Sequence, residues 1–434
     1  MRPGRVLIGG AALSVLLLAG AAIAGILVGR PDSQWLEAGS FVTSKDTGEQ
    51  YVVLEGGDDP VIRRVPNYVS AQLLLGEADL TPFQVRDKYI REVTLGEDVG
   101  IDDAPASLPD PDGLIQDGWT ACTAPDAGIK VALDDQPAVT ELVDSAFLVR
   151  SGGDLWLLAP DSEAVDSRVY RFQLPTDPTS SGSIADQLGF GASEDAPEVS
   201  QDWLNLFPPR DALEEAAFGA SLRGEEVNYP GDAGLSGYLI GDLVTSPEGR
   251  SYLLGDDGPQ ELSEFAATIY RSLGNESQTL TADPAGGSRS KEFPAVWPET
   301  LPTPALDPQL CAVLHPDSDA GARVALAGQP TGAAASDLAV DQHDVDVQPA
   351  GGAYVQSGSI EEASEGTPYV IDSAGYKYEL IGAEVPGYIG YGSVNAPVVP
   401  SAWMDFFEDK VQLSTNAARR VSEDAPAATA DGES

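Results

Sequence analysis

Histidine is almost missing from this sequence: His315 and His343 are the only two in 434 residues. Two imidazoles leave no histidine-rich metal site and argue against a Ser/His/Asp triad, and no Gly-x-Ser-x-Gly elbow is present to hold a nucleophile. No lysine directly follows a glycine. A phosphate-cradling loop needs glycines for close backbone approach and a lysine for the phosphates, so it has no candidate; Gly286-Gly287-Ser288 is glycine-rich but opens no helix pattern. Ser288-Arg289-Ser290-Lys291 has the Ser-x-x-Lys spacing of penicillin-binding enzymes, yet it lies in a Gly/Ser-rich stretch without the companion motifs. Basic residues are scarce as well, with 24 Lys and Arg against 69 Asp and Glu and a net charge of −45. That balance offers no basic stripe for phosphates, so no nucleic-acid partner is expected, and attraction to anionic lipid headgroups is equally disfavoured. The acids form no Asp-x-Asp-x-Asp-Gly calcium loop, and their spacing singles out no glycosidase pair. They read as a solvated surface suited to a salty or cell-wall environment. No catalytic, cofactor-binding or metal-ligating residue is assigned, and no cofactor is expected, ATP included.

Long apolar runs are missing except at one place. Val6 to Val28 is uncharged and mostly apolar over 23 residues, preceded by Arg2 and Arg5. At 1.5 Å per residue it reaches about 35 Å, enough to cross a hydrocarbon core of about 30 Å with some tilt. The leading arginines favour a cytoplasmic start, which places everything after Pro31 outside the cytoplasm. The alternative is a cleaved signal peptide, with Ala22-Ile23-Ala24 as the small-residue site; a signal core is usually shorter, about 7–15 residues, so a retained single-pass anchor is the expectation.

Only two cysteines occur, and each precedes a near-copy of one octapeptide. Cys122 leads into Asp126-Ala127-Gly128-Ile129-Lys130-Val131-Ala132-Leu133, and Cys311 into Asp319-Ala320-Gly321-Ala322-Arg323-Val324-Ala325-Leu326. Val42-Thr43-Ser44, Gly48 and Tyr51 recur as Val244-Thr245-Ser246, Gly249 and Tyr252; Val199, Trp203, Phe207 and Leu213 recur as Val399, Trp403, Phe407 and Leu413. Three matched blocks in one order make the chain two tandem halves, 40–215 and 238–415. Two cysteines in an exported chain most simply form one disulfide, here tying half to half; two buried free thiols are the alternative. Asp126 and Asp319 read as turn residues before Gly128 and Gly321. Trp203 and Phe207, like Trp403 and Phe407, stand at i and i+4, the spacing of a helix packed on a hairpin. Lining a sugar groove is the other reading of these four.

The halves break into similar pieces. Phe41 to Ser44, Gly48 and Tyr51 to Leu54 read as a hairpin, and Pro66 to Gly76 as a short helix stopped by glycine. Leu262 to Gly274 is its counterpart helix. Phe147-Leu148-Val149 with Leu155 to Leu158, and Tyr369-Val370-Ile371 with Tyr376-Lys377-Tyr378, are further hairpins. The expected fold is α+β: a short cytoplasmic start (1–5), a transmembrane helix (6–28), and four repeat units of hairpin plus helix at 38–100, 137–215, 238–293 and 351–418. A central, mainly β domain assembled from 101–136 and 294–350 carries the disulfide, the whole being duplicated about a pseudo-two-fold axis. Residues 419–434, acidic and poor in large apolar side chains, are expected to be disordered.

A single membrane helix, four small repeats and one cysteine per half resemble the EccB family, a core membrane component of the type VII (ESX) secretion system of actinobacteria. Gly48-Glu49-Gln50-Tyr51-Val52, Pro66-Asn67-Tyr68-Val69-Ser70-Ala71 and Trp119-Thr120-Ala121-Cys122 resemble it too, within a likeness spanning about residues 1–418. The resemblance implies an extracytoplasmic scaffold held in the cytoplasmic membrane by its helix, in a complex with EccC, EccD and EccE, with self-association in that complex. It also implies several dozen cytoplasmic residues before the helix, where this sequence places five. Family members are sometimes catalogued as ATPases. A peptidoglycan-binding module and an exported hydrolase are the competing functions.

Overall fold

The structure is a computed structural model that describes residues 32–421 apart from 161–167, 231–232, 286–293, 295–296, 307–308, 317–320, 329–336 and 361–365. It has two compact units. One comprises the chain up to Leu108, Tyr378–Ser393 and the chain from Lys410 onward; the other comprises Pro109–Lys377 and Val394–Asp409.

In the first unit, five strands lie in the order Phe83–Val85, Phe41–Ser44, Gln50–Glu55, Val61–Val65 and Thr94–Leu95. Alternation along these strands sends Val42, Tyr51, Val53, Ile62 and Val85 into one core with Trp35 and Ile90. The helix Tyr68–Leu75 is fixed at both ends by its sequence. Asn67 accepts a hydrogen bond from the Ser70 N–H at its start, and Gly76, at φ 73°, takes the left-handed conformation at its end. Val385–Tyr388 and Thr415–Ala418 pack against this helix.

The second unit is built on a six-stranded sheet. Its order is His343–Val347, Ile129–Leu133, Trp119–Thr123, Leu310–His315, Arg323–Gly328 and Thr140–Glu141, so the two cysteine-bearing strands are central neighbours. Three smaller sheets lead from Ser145–Ser151, Leu243–Thr245 and Ala353–Gly358. The helices Pro178–Gln187 and Glu264–Ser272 pack together, burying Ile184, Ala185, Phe265, Ala266 and Ile269 in one core. Pro178–Gln187 was not legible in advance. It is rich in Ser and Thr and contains Gly182, and it begins where Asp177 caps the Ser180 N–H with proline at the first helical position.

Beside the hairpins, each small sheet has a strand that returns parallel to its first strand after the helix. Val42 pairs with Phe83, Leu243 with Ser277 and Gln356 with Val398, and an isolated bridge joins Arg150 to Glu198. A tight turn can produce only antiparallel neighbours, so this parallel return needs the helix as its crossover. In three of the sheets the chain then comes back parallel to the third strand: Val61 with Thr94, Tyr376 with Glu408, and a bridge of Arg171 with Pro209. Hairpin plus helix therefore understates each sheet by two or three strands.

Candidate functional site

Cys122 and Cys311 face each other in the antiparallel register of Trp119–Thr123 with Leu310–His315 and are disulfide-bonded, with Cα atoms 4.1 Å apart. Direct cross-strand neighbours that are not mutually hydrogen-bonded are about 4.5 Å apart, so the two strands present the sulfurs to each other. The bond closes 189 residues of chain and is buried, with Cys122 3% and Cys311 0% exposed. Val313, Ala325 and Ala327 complete this small cluster.

Because strand residues alternate, the opposite face of the sheet carries Trp119, Ala121, Val131, Ala312, Leu314, Val324 and Leu326, all in one large core. Trp203, Phe207, Trp403 and Phe407 lie in that same core. Each of the four is at most 2% exposed, so they cover the disulfide sheet and line no sugar groove. Trp203 stacks edge-on against Phe207 at 5.1 Å, and Phe407 against Trp119 at 5.6 Å. Such pairs add about 0.5–1.5 kcal/mol beyond the area they bury. Their helices are single turns, Gln201–Leu204 and Ser401–Met404, so the i+4 phenylalanines fall just past the helix ends.

Two cations hold these turns, and neither was singled out beforehand. Arg171 donates from Nη1 to the Leu204 carbonyl at 3.0 Å and to Asn205 Oδ1 at 2.6 Å. Lys377 donates from Nζ to the Met404 carbonyl at 2.9 Å and lies 3.4 Å from Asp409. Each stands at a helix C-terminus, where free carbonyls and the helix dipole favour positive charge. Burial pulls the Arg171 guanidinium below its ordinary range, the mark of a cation taken out of water. A sequence signal for both exists: Tyr170-Arg171-Phe172 and Tyr376-Lys377-Tyr378 each set one basic residue between two aromatics in a strand.

Asp126 adopts φ 56°, as befits a turn residue. Gly128 is required by crowding, since a Cβ there would lie 2.2 Å from the Gln342 carbonyl oxygen. His343 lies on the sheet edge, its ring 5.5 Å from Phe406. Val6–Val28, Gly286-Gly287-Ser288 through Lys291, Asp319 and Ser422–Ser434 lie outside the described residues. Among the described residues no helix is long and apolar enough to cross a membrane.

By direct comparison, no curated protein matches this sequence. Solved structures do match its fold. The periplasmic assembly of an ESX-5 inner membrane complex aligns at TM-score 0.62 and 20% identity, covering 92% of this chain and 99% of that one. An intact ESX-5 inner membrane complex gives 0.64 and 21%, covering 100% and 92%. An EccB3 dimer from the ESX-3 core complex gives 0.65 and 22%, covering 88% and 100%. The sequence also matches the family described as "Type VII secretion system ESX-1, transport TM domain B" over residues 2–427. With the disulfide-joined sheet and its buried aromatic cover in place, that match makes the chain a member of the EccB family of type VII secretion.

Proposed function

We propose that this protein is a structural component of a type VII secretion membrane complex, held in the cytoplasmic membrane by Val6–Val28 and presenting an extracytoplasmic scaffold. The observation that carries the reading is how the centre is spent. Both cysteines and all four duplicated aromatics are consumed in joining the cysteine strands and covering them. A centre used this way gives rigidity, and chemistry is not needed from it. The parallel strand returns of four sheets support four copies of one unit around the central sheet. Cys122 meeting its own counterpart supports a pseudo-two-fold axis passing between them, because equivalent residues can pair directly only at such an axis.

The partners in this reading are EccC-, EccD- and EccE-like subunits and further copies of this chain. The similar structures are inner membrane complexes and a dimer, by their own descriptions. A fixed anchor raises the effective concentration of neighbours, so modest interfaces suffice. No cofactor and no ATP hydrolysis enter this reading. The full chain, tagged at its C-terminal tail and extracted in mild detergent, is expected to bring EccC, EccD and EccE with it. Emergence alone, with ATP turnover abolished by a point mutation, overturns the proposal. An N-terminus at Gly25 on protein purified from cells would remove the anchor.

A further inference from the structure

The two histidines differ in setting, and His315 is the one held by charge. Its Nδ1 lies 2.6 Å from Asp117 Oδ1 and its Nε2 lies 2.7 Å from Glu141 Oε1. Arg323, opposite His315 in the strand register, donates to the other oxygen of Glu141 at 3.0 Å. Among the described residues these three are the charged groups facing the ring, from the segment before Trp119–Thr123, from Thr140–Glu141 and from Arg323–Gly328. Asp117 and Glu141 belong to the first half of the chain, His315 and Arg323 to the second.

A carboxylate only accepts, so both contacts at once require both ring nitrogens to donate, and only the imidazolium does that. A neutral ring keeps one contact and turns a lone pair toward the other carboxylate. The consequence falls on Thr140–Glu141, a two-residue edge strand, exposed along its length. Its backbone ties are the pairing of Glu141 with Ala327, of Thr140 with Gly328, and the Leu142 N–H bonded to the Leu326 carbonyl at 2.9 Å. The Glu141 side chain adds the polar tie to these, beside the packing of Val139 against the disulfide cluster and of Leu142 against the large core.

We propose that His315 is a proton-operated clasp that fastens the edge strand Thr140–Glu141 of one half onto the cysteine strand of the other. The clasp is complete while His315 is protonated and both acids are ionised. It loosens when His315 is neutral, since the Glu141 arm or the Asp117 arm then loses its donor. It also loosens at the acid end. Burial would raise the Glu141 carboxyl, but hydrogen bonds from Arg323 and His315 outweigh it and hold the group below its ordinary range. A depressed carboxyl contributes stability above its unfolded value and loses it as pH falls through the folded one. The clasp therefore needs a charged imidazole and ionised carboxylates together, and salt weakens it because Asp117 and Glu141 are both substantially open to solvent.

The test is hydrogen exchange of the peptide spanning Leu142 in the full chain in detergent, corrected for intrinsic rate, between about pH 5 and 8, where an ordinary histidine titrates. Protection at Leu142 is expected to fall several-fold as pH rises. His315→Gln, whose single amide nitrogen cannot span the distance between the two imidazole nitrogens to reach both carboxylates, is expected to show the low protection at every pH. Asp117→Asn is expected to shift the transition to lower pH. His343→Gln, which alters the only other histidine, is expected to keep the wild-type profile. A pH-independent wild type, or a His315→Gln profile that overlays it, overturns the clasp; should His315→Gln fail to fold, Asp117→Asn with an unshifted transition does the same.

Discussion

The Trp203 and Trp403 turns are two versions of one device, and they differ in how their polar atoms are met. Trp203 Nε1 donates to the Ala121 carbonyl of a cysteine strand at 2.9 Å. Trp403 Nε1 is equally buried and has no hydrogen-bond partner among the described residues. The cation at the helix end is Arg171 in the first and Lys377 in the second, a planar fork against a point charge. Both rings still fill the same core completely. Shape is thus matched at these positions while polar pairing differs, as expected where packing volume contributes more than one hydrogen bond. A fully buried Trp accounts for several kcal/mol on truncation, a typical net hydrogen bond for about 1 kcal/mol.

The largest effect should come from cutting what the two versions share. Replacing Cys122 and Cys311 together by alanine removes the closure of a 189-residue loop, worth about 5 kcal/mol in the chain-entropy account. Denaturant unfolding of the full chain checks it, and the loss should be insensitive to which tryptophan is present. Trp203→Ala and Trp403→Ala should each cost about 3–5 kcal/mol, since both leave a cavity in the same core. A clear inequality between them would say that the two turns do not carry equal shares of the packing.

Smaller changes sharpen the comparison. Arg171→Met and Lys377→Met keep the apolar stems but remove the charged donor to the Leu204 or Met404 carbonyl, which then keeps only the Phe207 or Phe407 N–H at 3.2 Å, each at about 1–3 kcal/mol. Arg171→Lys should recover less than Lys377→Arg, because the Arg171 fork serves both Leu204 and Asn205. The finest test is Trp203→Phe against Trp403→Phe. Both lose similar volume, but only the first loses a hydrogen bond, so it should be the less stable by about 1 kcal/mol. Equal shifts in thermal midpoint would mean that the Ala121 contact contributes nothing.

Much of this arrangement was written in the chain. The cysteines stand before matching octapeptides, which is why a bridge between halves was legible, and the glycine after Leu75 marked a helix end that the structure places there. The recurring Trp and Phe read as core because an i, i+4 aromatic pair beside apolar hairpins has more to gain from burial than from solvent, and all four side chains are buried. The helix Pro178–Gln187 was hidden by its polar composition, its capping by Asp177 being a single-residue signal. The parallel returns were hidden for another reason. Their strands are two or three residues long, or single bridges at Glu198 and Pro209, too short for any periodicity to show. The His315 contacts join residues 198 and 174 positions apart, beyond any local pattern.

The central claim is that the two halves form one interlocked centre, covalently joined and packed together. A protease site inserted at Gly224 tests it, because that residue lies in an exposed stretch between the halves, and nothing lies within 4 Å of where its Cβ would be. After cleavage of the full chain in detergent, the halves are expected to migrate as one species under denaturing, non-reducing conditions. They should still co-elute natively once reduced, because strands from both halves share the core around Trp203 and Trp403. They should separate only when reduced and denatured together. Separation on reduction alone would show that the disulfide is the sole join and contradict the account.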